Sequence, residues 1–148
     1  MTVFIAAVLG SLGFGLMFGN RGIKLVFSAL GGAVCWGAYL LAGLFTQEEF
    51  LRVLIASLAA ALYSEIMARA LKAPATVFSL IAAMPLVPGS GLYHTMKCAI
   101  SGDGQGTLRY AVATLGSAAA IAVGIVCISL CFKYAALLGR ALANRRKT

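Results

Sequence analysis

Apolar residues run through this chain in blocks of about twenty, the length a helix needs to cross the roughly 30 Å hydrocarbon core of a bilayer. Five blocks can be drawn, at about 2–19, 25–45, 51–70, 75–96 and 110–132. Short polar breaks divide the first four: Asn20-Arg21-Gly22, Thr46-Gln47-Glu48-Glu49 and Lys72-Ala73-Pro74. The stretch from Ser101 to Thr107, rich in glycine, reads as an exposed flexible loop. The pattern predicts an all-α integral membrane protein of five transmembrane helices. They form one transmembrane domain over residues 1–148, the fourth helix interrupted at Pro85–Gly91 and a basic tail occupying 133–148.

Composition agrees. The chain is 61% hydrophobic and 11% charged, against about 25% charged in a soluble domain. A net charge of +8 raises the question of nucleic acid. The basic residues, however, sit at the ends of apolar blocks, where they act as topology signals and headgroup contacts. No nucleic-acid partner is expected. The first block lacks the basic leader of a secretory signal, because Arg21 and Lys24 follow it, so it reads as a retained span.

Nine basic residues fall on one side of the blocks: Arg21, Lys24, Arg69, Lys72, Lys133, Arg140, Arg145, Arg146 and Lys147. Three, Arg52, Lys97 and Arg109, fall on the other, with Glu48, Glu49 and Asp103. The positive-inside rule then places the N-terminus outside and the C-terminus in the cytoplasm. The tail extends the last span to the headgroups, where each basic residue gains about 1 kcal/mol from anionic lipid. Small residues recur at four-residue spacing: Gly15 and Gly19, Ser57 and Ala61, and Gly116, Ala120 and Gly124. Such spacing lets helices approach closely in lipid, and so much of it leads to the expectation of a partner.

The fourth block carries the most informative residues, Met84-Pro85-Leu86-Val87-Pro88-Gly89-Ser90-Gly91. At 1.5 Å per residue from Pro74, Pro85 lies about 16 Å into the membrane and Pro88 about 20 Å. Each proline lacks a backbone donor and crowds the carbonyl four residues back, here Ile81 and Met84. Broken backbone at that depth persists only against protein or beside a polar cavity. Ser90 fits the N-cap of a second short helix through Tyr93, His94 and Thr95, whose free N–H groups and dipole suit a carboxylate. A proline kink repaired by neighbouring helices is the plainer alternative.

Lys72-Ala73-Pro74-Ala75-Thr76-Val77-Phe78, followed by Met84 to Met96 with its Pro-Leu-Val-Pro-Gly-Ser-Gly-Leu-Tyr-His-Thr core, resembles the hallmark of the threonine/serine exporter family. In particular it resembles the small, YjjB-like subunits. The resemblance implies a small five-span protein of the bacterial inner membrane working with a larger, YjjP-like subunit. It also implies export of threonine and serine, or of succinate. All of these carry a carboxylate.

The expected substrate contacts are Pro85, Pro88, Gly89, Ser90, Gly91, Tyr93, His94 and Thr95. Glu65, the lone acid within a block, has Arg69 one turn later on the same face. The pair reads either as a structural bridge or as a proton or cation site for coupling. Trp36 reads as packing. The four cysteines lack a CxxC motif and read as small packing residues, although Cys127 and Cys131 share a face. No acid pair, metal cluster, nucleophile set or phosphate loop appears, so neither enzymatic activity nor a cofactor is expected. The alternatives to an exporter subunit are a scaffold for its partner and a homo-oligomeric channel.

Overall fold

The computed structural model describes residues 2–145, with side chains described over 3–138. Arg146 and Lys147 of the basic tail lie outside the described residues, as do the side chains of Arg140 and Arg145. The elements are α1 (Thr2–Met17), α2 (Ile23–Phe45), α3 (Glu49–Ala70), α4 (Ala75–Ala83), a 3-10 turn (Met84–Leu86), α5 (Gly89–Ile100) and α6 (Gly104–Arg145). All regular structure among the described residues is helical.

Among the described residues, three helices are long and apolar enough to cross a membrane: Ile23–Phe45, Glu49–Ala70 and Gly104–Leu138. The pair Ala75–Leu86 and Gly89–Ile100, bent by 54°, makes a fourth when taken as one span. The α1 helix is apolar but has only 16 residues, shorter than the block expected at 2–19. Gly19 explains why it stops. Its φ is +74°, and its N–H bonds to Leu16 O at 3.0 Å while Asn20 N–H bonds to Gly15 O at 3.0 Å. That is a Schellman stop. Gly19 is exposed, so it ends a helix and does not serve the close packing read from its spacing.

The α3 helix is central, packed against α2, α4 and α6, and α1 leans on α2. Lipid tails are as apolar as leucine, so helices hold together through close contact and interhelical hydrogen bonds. The buried face of α3 is accordingly Val53, Ala56, Ser57, Ala60, Ala61, Ser64 and Ala68. Ser57 Oγ lies 2.8 Å from Leu54 O and 3.2 Å from Ala120 O, joining α3 to α6. Tyr63 donates to Phe27 O at 2.9 Å and joins α3 to α2. Large apolar side chains face outward instead, among them Leu9, Leu44, Phe45 and Leu115, as lipid contact requires.

The glycine-rich stretch between α5 and α6 is not the long loop its composition suggests. Only Ser101, Gly102 and Asp103 lie outside helix. Asp103 Oδ1 accepts from Gly106 N–H at 2.9 Å, and Thr107 N–H and Oγ1 both donate to Asp103 O, at 3.0 and 2.7 Å. A side-chain cap of this kind satisfies the otherwise free amides of a first turn and carries the helix through Gly104 and Gly106. The resulting α6 spans 42 residues, about 63 Å at 1.5 Å per residue, twice the hydrocarbon thickness.

Candidate functional site

The break in the fourth block is built from two tight turns. Pro85 removes the donor for Ile81 O, and Met84 N–H takes that carbonyl instead. Pro88 removes the donor for Met84 O, and Val87 N–H takes it at 3.2 Å. Both orphaned carbonyls are thus satisfied by a residue three ahead, which is why a 3-10 turn appears here. Pro88, at φ −78° and ψ 59°, then makes an inverse γ-turn with Gly89 N–H on Val87 O at 2.8 Å. No side-chain acceptor caps α5, and Pro88, not Ser90, occupies its N-cap. The expected Ser90 cap is therefore absent, because the helix begins one residue before it. Among the described residues, no acceptor partners the N–H groups of Ser90 and Gly91, as helix geometry leaves them.

Beyond the break, α5 leaves the α2–α3–α4 core and rests on α6. Gly91 sets that contact: a Cβ there would fall onto Thr114 Oγ1 and within 3.4 Å of Thr114 Cβ. Gly89, two residues earlier, has open space around its Cβ position and no positive φ. The two glycines therefore differ in purpose, and only Gly91 is required by packing.

The divergence of α5 from the core leaves a cavity of about 370 Å³. Its floor is the break itself, with Pro85, Leu86, Val87 and Pro88; one wall is Ser90, Gly91 and His94, and the other is Tyr110, Ala113, Thr114 and Ser117 of α6. Trp36, Tyr39, Glu49 and Val53 close it from α2 and α3. Trp36 and Tyr39 stack with centroids 5.0 Å apart, and Tyr39 OH lies 2.9 and 3.0 Å from the two oxygens of Glu49. His94 stacks on Tyr110 at 5.1 Å. Thr114 and Ser117 donate to Tyr110 O and Ala113 O on their own helix, leaving their oxygens as acceptors.

Of the expected contacts, Pro85, Pro88, Ser90, Gly91 and His94 line this cavity, while Gly89, Tyr93 and Thr95 do not. Tyr93 is 64% exposed, and Thr95 folds back onto Gly91 O at 2.8 Å. Glu65 and Arg69 lie elsewhere. They pair at 3.8 Å, and the Arg69 guanidinium sits 4.7 Å from the centre of the Phe132 ring, so together they fasten α3 to α6. Sequence reasoning missed Tyr39, Glu49, Tyr110, Thr114 and Ser117, and took Trp36 for packing. A signal existed: Tyr110, Ala113, Thr114 and Ser117 follow a helical face at spacings of three and four.

A broken helix beside a partly polar cavity, in a chain with several apolar helices and no strand among the described residues, is an arrangement found in membrane transport proteins. The family model described as "Threonine/Serine exporter, ThrE" matches residues 3–131. The chain belongs to that family. No curated protein and no solved structure matches it.

Proposed function

We propose that this chain is the small, five-span subunit of a secondary exporter of threonine and serine, working beside a larger five-span subunit in the bacterial inner membrane. Its N-terminus lies outside and its basic C-terminal end meets anionic lipid at the cytoplasmic face. The observation that carries the reading is the cavity of about 370 Å³ against the Pro85–Gly91 break, in a chain whose family is one of exporters. A substrate carboxylate would meet the open N–H groups of Ser90 and Gly91 at the positive end of α5. In this orientation the cavity lies in the outer half, and the α3–α6 contact closes the inner half. Export then requires that contact to part on the cytoplasmic side.

Between the substrates the resemblance implies, Glu49 favours an amino acid. A carboxylate lining the cavity repels the second negative charge of succinate and suits a zwitterion. Vesicles containing the chain and its partner, preloaded with labelled threonine, are expected to show saturable efflux. Serine should compete with it and succinate should not. Flux that rises linearly with concentration, or that succinate suppresses as well as serine does, would sink this reading.

A further inference from the structure

We infer that Glu49 reads the α-ammonium group of the transported amino acid, with Tyr39 holding its carboxylate in position. The inference rests on the exporter reading and adds the residue that sets its specificity. Glu49 opens α3, and an acid in a first helical turn is commonly no more than a dipole partner. Three observations give it a further purpose.

First, its carboxylate lines the cavity and is held by one neutral donor, the Tyr39 hydroxyl, at 2.9 and 3.0 Å. A carboxylate offers about four lone-pair sites, so acceptor capacity remains for an ammonium. Second, among the described residues no cation lies within ion-pair distance of it: the ion pair there is Arg69–Glu65. Arg52, one turn along α3, lies beside the Tyr39 hydroxyl but commits its donors to the end of α2. Its Nε reaches Thr46 O at 2.8 Å, and its Nη2 reaches Gln47 Oε1 at 2.8 Å and Gly43 O at 3.4 Å. Third, the stacked rings of Trp36 and Tyr39 line the same wall, and an aromatic face attracts an ammonium. A negative charge, a fixing donor and two aromatic rings on one wall form a receptor for a small primary ammonium.

Trp36 is the single tryptophan of the chain and lines the cavity, so its fluorescence reports occupancy. The full chain in phospholipid vesicles would be titrated with threonine and with 3-hydroxybutyrate, which is threonine with hydrogen in place of the ammonium. Labelled-threonine binding would be measured in parallel. In the wild type threonine should bind at least about tenfold more tightly, the scale of one charge-assisted hydrogen bond. Glu49→Gln keeps the shape and an acceptor for Tyr39, and should erase that difference by weakening threonine, with 3-hydroxybutyrate bound no more weakly than in the wild type. Glu49 is exposed at the cavity mouth, so the variant is expected to melt with the wild type. Threonine binding unchanged in Glu49→Gln, or both ligands weakened equally, overturns the inference and leaves the exporter reading standing. A wild-type chain that answers to neither ligand by either readout, both alone and with its partner subunit, overturns both.

Discussion

Gly91→Val is expected to reduce threonine efflux at least about tenfold, because overpacking of a tight contact costs about 1–3 kcal/mol. The side chain would be driven onto Thr114, whose Oγ1 already stands where the first added carbon must go. Thr114 has little freedom to yield, since its hydroxyl is tied to Tyr110 O at 2.7 Å. The α5 helix must therefore lift from α6, and both walls of the cavity move with it. Gly89→Val provides the contrast. Nothing lies within 4 Å of its added carbon, so within this chain it should leave the cavity intact. Efflux from preloaded vesicles, at matched protein levels, checks the pair. Equal loss in both variants would mean that the break acts through an outward surface and not through its seat on α6.

Gly124→Val is expected to be strongly destabilising. An added Cβ would meet Ser57 Oγ, lie 2.9 Å from Ser57 Cβ, and lie 3.2 Å from the backbone nitrogen of Leu58. A side chain can turn aside, whereas the α3 backbone cannot without moving the element on which α2, α4 and α6 all pack. Loss of the buried Ser57 link to Ala120 O would add to the overpacking, for a total of roughly 3 kcal/mol. The expected readout is a sharp fall in the melting temperature of the detergent-solubilised protein. Ser57→Gly in the same chain should restore part of it, because it removes the atoms that collide. Failure of that rescue would place the damage elsewhere than the α3–α6 seam.

Much of the fold was legible because lipid imposes simple demands. Spans must be long and apolar, and the three longest helices fall where the apolar blocks lie. The break was legible for a related reason: two prolines three residues apart leave two carbonyls without donors, and the backbone had to turn to satisfy them. The ends of helices were harder. Composition marks Ser101 to Thr107 as loop, but a single aspartate at position 103 supplies enough acceptors to start a helix through it. Spacing marks Gly19 as a packing residue, but its left-handed φ makes it a stop. Half of the cavity was hidden for a different reason. Trp36, Tyr39 and Glu49 lie 36 or more residues before the break, and only the tertiary path of α2 and α3 brings them beside it. Glu49 in particular looks like a polar residue of a turn until Tyr39 is seen to reach it.

In the proposed mechanism the transported molecule passes through the cavity at the break. Ala113 lines that cavity, and Ala113→Phe puts a ring into it from the α6 wall. Leu115→Phe, at a site 69% exposed, adds a ring to the outer surface as a control. The direct measurement is saturable efflux of labelled threonine from vesicles holding each variant, at matched protein levels and melting temperatures. Loss of saturable efflux in Ala113→Phe alone is the predicted result. Efflux in Ala113→Phe with KM and maximal rate both unchanged would rule out this cavity as the path.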